Sequence, residues 1–204
     1  EITYGMPGYE GAVESVQVDN DGTMIETIGN ATPQGICGSG LVDLLAGLRR
    51  SGLMTELGVF NDGSYEFVFA PTQKMTLSRA DISALAQAKS ANYSGQYIIL
   101  RKYGLPLERI SKLCLAGGFA NYIDVNNALD IGFIANFPSE RISKVGNASL
   151  EGATIMLVSG ELRHRMENLV REIEHVELET TPDFFEIFVE GCMFNPMDYS
   201  PSPA

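Results

Sequence analysis

The stretch Leu113-Cys114-Leu115-Ala116-Gly117-Gly118-Phe119-Ala120-Asn121 sets the tightest limit on how this chain can fold. An apolar run from Ile110 to Ala116 reads as a buried strand, with Cys114 as a buried strand residue. It breaks at two glycines, and a short helix is expected from about Val125 to Asp130. Paired glycines lack Cβ atoms, so their backbone can approach a flat ring or a phosphate closely. Strand ends in open α/β sheets are where ligands bind. The same pattern also serves as a tight strand–helix connection with no ligand.

The rest of the chain extends the strand and helix order. Ala12 to Val18 alternates as a strand, Asn20-Asp21-Gly22 is a turn signal, and Thr23 to Ile28 returns as the second arm of a hairpin. Gly35-Ile36-Cys37-Gly38-Ser39-Gly40 precedes a helix that should end near Gly52, and Tyr65 to Phe69 reads as a strand. Ser78 with Asp81 three positions on is an N-cap signal, and Gly104 suits the other end of a helix running to Tyr103. Ile142 to Val145 reads as a strand, and Asn147 should cap a long helix from Ala148 to about Ile173. His175 to Leu178 reads as a last strand, and Pro182 starts a helix through Val189. This order is that of an α/β protein, and the hairpin makes the sheet mixed, flanked by helices. Residues 1–194 are expected to form one lobe, and the Pro- and Ser-rich residues 195–204 a disordered tail.

Composition removes several functional classes. With 204 residues and a net charge of −12, the chain has no basic stripe, which argues against nucleic acid as a partner. No apolar run reaches the ~18 residues of a membrane span. Cys37, Cys114 and Cys192 are far apart with no His beside them, so no metal or iron–sulfur site is expected in this chain. A sparse, odd cysteine count suits a reducing, cytoplasmic setting. The chain opens Glu1-Ile2-Thr3 without an initiating Met, as a fragment of a longer protein would.

Two further segments carry candidate chemistry. Gly38, Ser39 and Gly40 at a helix start can present backbone N–H groups to an anion, or Ser39 can simply cap that helix. Lys89 lies mid-helix in Ala88-Lys89-Ser90-Ala91, where a lysine is commonly solvated. His164 and His175 read as surface residues, and no Ser-His-Asp order stands out.

These pieces resemble, in order, one known family. Gly35 to Leu45, Asp81-Ile82, Ala88 to Ala91, Leu115 to Phe119, Val145 to Ala148, and Val176 to Leu178 with Phe184 look like the carboxy-terminal domain of reductive activators of corrinoid proteins. That family belongs to the superfamily of acetate and sugar kinases, Hsp70 and actin, so the resemblance implies a ribonuclease H-like lobe of an actin-like ATPase. It also implies ATP with Mg²⁺, an iron–sulfur domain and a corrinoid protein as partner, with Co(II) reduced to Co(I) to restore methyl transfer. Gly117, Gly118 and Phe119 match the superfamily's adenosine motif. Lys89 lies on a helix like the one whose Lys reaches adenosine in Hsp70-type proteins. Gly38, Ser39 and Gly40 are assigned to the nucleotide site with them. The two phosphate loops of type Asp-x-Gly-Thr and the ferredoxin cysteines are absent from this sequence, and the resemblance puts them upstream of Glu1. Ala120 departs from the Gly common in the family. Two rivals remain open: an activator of the 2-hydroxyacyl-CoA dehydratase type, with Cys37 sharing a cluster between subunits, and a docking or homodimerisation module.

Overall fold

The computed structural model describes residues 2–19 and 22–200. The first sheet is built from β1 (Ala12–Asp19), β2 (Gly22–Thr27) and β3 (Gly35–Ile36), in the order β2-β1-β3. β1 pairs antiparallel with β2 and parallel with β3, so the pairing is mixed as expected. Asn20 and Asp21 of the expected Asn20-Asp21-Gly22 turn lie outside the described residues.

Helix α1 (Gly38–Arg50) lies directly on β1. The contact is close because Gly40 and Gly47 face the strand. A Cβ on Gly40 would sit 2.4 Å from the Val13 carbonyl oxygen, and one on Gly47 2.8 Å from Val18 Cγ2. Bare Cα atoms seven residues apart therefore let the helix settle onto the sheet backbone. Gly40→Ala should lower stability by about 2 kcal/mol, since overpacking outweighs alanine's better helix propensity. A thermal melt should show Tm falling by about 4–8 °C, and an unchanged Tm would contradict this packing.

A small antiparallel sheet follows, β4 (Glu66–Ala70) with β5 (Met75–Ser78). The sequence reading missed β5. The long helix α2 (Arg79–Tyr103) matches expectation closely. Ser78 Oγ accepts from the Asp81 N–H at 3.1 Å, Asp81 Oδ2 accepts from the Ser78 N–H at 3.0 Å, and Gly104 closes the helix at φ 72°. Asp81 also accepts from the Thr3 N–H at 2.8 Å, tying the chain's start to this cap.

β6 (Leu113–Leu115) and β7 (Ile142–Lys144) form a parallel pair, so the strands are distributed over three sheets instead of one. α3 (Gly118–Tyr122) and α4 (Val125–Asp130) follow β6. Cys114 is exposed, not buried, because three-residue β6 pairs on one side only and no layer covers it there. Asp43 of α1, itself buried, accepts from the Val16 N–H at 3.3 Å and from Asn127 Nδ2 at 2.8 Å, and so fastens α1 to β1 and α4. Burial still holds its carboxyl above the ordinary carboxylate range, against those hydrogen bonds.

The long helix expected over 148–173 is two helices, α5 (Ala148–Val158) and α6 (Gly160–Val170). Ser159 has extended backbone, and its hydroxyl accepts from the Leu162 N–H at 3.2 Å, so it ends one helix and caps the next. His175 to Leu178 forms no strand: Val176 and Leu178 lean on the cluster around α2 instead of a sheet edge. α7 (Phe184–Gly191) packs on α2. The expected tail differs as well. Met197 and Tyr199 are buried, and the Tyr199 hydroxyl donates to the Leu100 carbonyl at 2.8 Å, because two large apolar side chains reach the groove beside α2. Residues 201–204 lie outside the described residues.

Candidate nucleotide site

Gly117 follows β6 with φ 101° and ψ 166°, a conformation open to glycine and strained for other residues. Its N–H donates to the Gly146 carbonyl at 2.8 Å, which ties the β6–α3 turn to the loop after β7. Asn147 in that loop caps α5 as expected, accepting from the Leu150 N–H at 3.0 Å. Gly118 comes next, and a Cβ there would meet nothing within 4 Å.

That open space faces a cleft of ≈ 510 Å³ shared with the start of α1. Gly38, Ser39, Gly118, Phe119 and Tyr122 line it. Two glycine segments some eighty residues apart in sequence thus meet at one cavity, within the size range of small-molecule sites. Ser39 does not cap α1. The N-cap position belongs to Cys37, which makes no side-chain cap, and Ser39 Oγ lies 3.3 Å from Cys37 Sγ instead. Gly40 is buried against β1, and neither Gly40 nor Gly117 lines the cleft.

Phe119 forms the partition to a second pocket. Its ring lies on Gly38, where a Cβ would come within 2.6 Å of it, and it meets Phe133 edge-on at 5.6 Å. Beyond it a pocket of ≈ 370 Å³ is lined by Gly38, Leu41, Phe119, Asn92 and Lys89. Lys89 is not solvated: it is 3% exposed, and its Nζ has no hydrogen-bond partner. The ammonium lies 5.3 Å from the Tyr93 ring centroid and 5.8 Å from that of Phe194. Burial pushes its pKa down to about 8, opposed by the nearby Cys192. Asn92 was not singled out from sequence. Its Nδ2 donates to the Phe133 carbonyl at 2.6 Å, which steadies the ring that faces Phe119.

Comparison with known proteins places the chain in a family. Residues 1–204 match the C-terminal domain of RACo, the ASKHA domain. The chain belongs to that family. It is 32% identical over 217 residues to the corrinoid activation enzyme RamQ of Eubacterium limosum, covering 95% of this chain and 37% of that enzyme. A solved structure described as a reductive activator for corrinoid, iron–sulfur protein superposes with a TM-score of 0.85 at 31% identity, over 97% of this chain and 34% of that one. This C-terminal domain therefore spans about a third of the length of the relatives it matches. The actin-like fold expected from the resemblance stands.

His164 and His175 are exposed. Cys37 is buried beside Ser39 and lines the same cleft. Asp124 caps α4, accepting from the Asn127 N–H at 2.8 Å. Among the described residues, no group of three or more His, Cys, Asp or Glu could hold a metal ion. Among them, too, no helix is long and apolar enough to cross a membrane.

Proposed function

We propose that this domain supplies the adenosine side of the ATP site in an ATP-dependent reductive activator that returns corrinoid methyl-transfer proteins from Co(II) to Co(I). The observation that carries the reading is the meeting of Gly118 with Gly38 and Ser39 at one cleft, with free space where a Gly118 side chain would stand. A purine fits against bare backbone of this kind. Phe119 offers it an aromatic face, and Lys89, desolvated and without a hydrogen-bond partner, is ready to donate to an acceptor that enters the adjoining pocket.

ATP carries phosphates that need cationic and backbone partners, and the Asp-x-Gly-Thr loops that provide them are absent from this sequence. Those loops, the Mg²⁺ ligands and the iron–sulfur cluster are assigned to the remaining two-thirds of the full-length protein. The corrinoid protein is the partner. Nucleotide binding drives the unfavourable electron transfer only through its differential affinity for two conformations of the complex. The contribution of this domain is to hold the adenosine so that one of those conformations is favoured.

The test is Gly118→Val in the full-length protein. Two γ-methyl groups would enter the space reserved for the purine while meeting no protein atom at the Cβ position, so folding is retained. Isothermal calorimetry should show ATP affinity falling at least about tenfold, a loss of roughly 1.4 kcal/mol. Unchanged affinity in a folded variant would remove Gly118 from the nucleotide site.

A further inference from the structure

The Phe119 ring stands among three cavities. The cleft of ≈ 510 Å³ beside Ser39 and Gly118 lies on one side of it. The pocket of ≈ 370 Å³ that Lys89 borders lies on another. A third space of ≈ 320 Å³, lined by Leu113, Leu115, Ala120, Ile123 and Phe133, lies towards β6. Interior side chains are ordinarily packed on every side. Phe119 instead is 43% exposed, rests on the bare Cα of Gly38, and meets Phe133 edge-on at 5.6 Å.

Phe133 is the fixed member of that aromatic pair. Asn92 Nδ2 and Gln96 Nε2 both donate to its carbonyl, at 2.6 and 3.0 Å, and its own N–H donates to the Ala128 carbonyl at 2.8 Å. The seat of Phe119 depends on a missing side chain. A Cβ at Gly38 would find its three nearest neighbours in the Phe119 ring, at 2.6, 2.7 and 3.7 Å. A methyl group and the ring cannot share that space, and the ring is the end that can rotate away. With the ring seated, Ser39 and Gly118 face one cavity and Lys89 the other, so one ligand cannot reach both. The space beside β6 is open to receive the ring.

We infer that Phe119 is a gate. Seated on Gly38, its ring divides the nucleotide site. Turned towards β6, it joins the cleft to the Lys89 pocket and lets a purine span the two. The inference rests on the nucleotide reading for its ligand. It adds an equilibrium inside this domain that ATP can bias, because a ligand that needs the open ring binds more weakly while the ring is seated.

The test uses the full-length protein and a fluorescent N-methylanthraniloyl ATP, mixed rapidly with native protein, Gly38→Ala, Phe119→Ala and the double variant. The Gly38→Ala methyl unseats the ring, so association is expected to speed up at least about tenfold. In Phe119→Ala there is no ring to unseat, and adding Gly38→Ala should change nothing further. Association that is unchanged or slower in folded Gly38→Ala would overturn the gate. So would an equal effect of Gly38→Ala in both backgrounds, since the methyl would then act on the nucleotide directly. Fluorine NMR of full-length protein with 4-fluorophenylalanine in place of Phe119 reads the ring before any nucleotide is added. The resonance should move when Gly38→Ala is introduced, and an unmoved resonance would overturn the seat on Gly38. Native protein that binds no nucleotide would overturn the underlying reading, whereas native protein that binds it with no response to Gly38→Ala would overturn the gate alone.

Discussion

Assayed alone, the 204-residue chain is expected to release phosphate from ATP at no more than background rate and to leave a Co(II) corrinoid protein unreduced. The full-length protein is expected to do both. Phosphoryl transfer depends on positioning and on neutralising charge at the phosphates. The cleft lined by Gly38, Ser39 and Gly118 offers backbone, the Ser39 and Tyr122 hydroxyls and aromatic faces, and among the described residues no lysine or arginine lines it. Lys89 stands behind Phe119 in the adjoining pocket. Electron delivery fails for a different reason, because the three cysteines are dispersed, one buried, one exposed and one intermediate. The comparison is made anaerobically with a supplied reductant, following phosphate and the Co(II) absorption together. The gap between the two proteins should be all or none. Substantial turnover by the domain alone would place the phosphates within it, with the start of α1 as the first segment to test.

Replacing Lys89 with Met should make the domain more stable while weakening nucleotide binding. The buried ammonium has only aromatic rings for company, and cation–π contact offsets part of its lost hydration. Its pKa of about 8, against 10.5 for a free lysine, corresponds to a penalty of about 3 kcal/mol for carrying the charge in the fold. Below pH 8 both folded and unfolded chains hold the proton, so the penalty is fully present. Between pH 8 and 10.5 the unfolded chain holds it and the folded chain does not, and wild-type stability rises with pH. Above 10.5 neither holds it and the penalty is gone. Denaturant unfolding should therefore show Lys89→Met ahead by up to about 3 kcal/mol at pH 7, with the advantage fading towards pH 10.5. In the full-length protein the same change should lower ATP affinity at least about tenfold. A variant that is more stable and binds ATP normally would make Lys89 a feature of the core alone.

The burial of Lys89 was hard to read from the sequence. A lysine between small residues on a helix is ordinarily solvated, and the pattern alone favours that. Burial arises because α7 and Phe194 close over this part of α2, with Gly191 packed on Ser90 and Tyr93. Those contacts join residues about a hundred positions apart, beyond any local spacing.

The sequence by itself determined the local elements whose signals are short-range. The Ser78–Asp81 capping box, the Gly104 stop, the β1–β2 strands, the glycine break after β6 and the Asn147 cap all lie within a few residues of the features they control. It also carried the family, through the order of these motifs. Tertiary structure alone decided burial and partnership. It exposed Cys114, because the β6 edge has no neighbouring strand. It broke the 148–173 helix at Ser159, where a local cap competes successfully in the absence of packing that would hold the turn helical. It drew Met197 and Tyr199 into the core, and it brought Gly38 to Gly118. Each of these outcomes depends on which surfaces meet, and chain-local periodicity and capping carry no record of surfaces far apart in sequence.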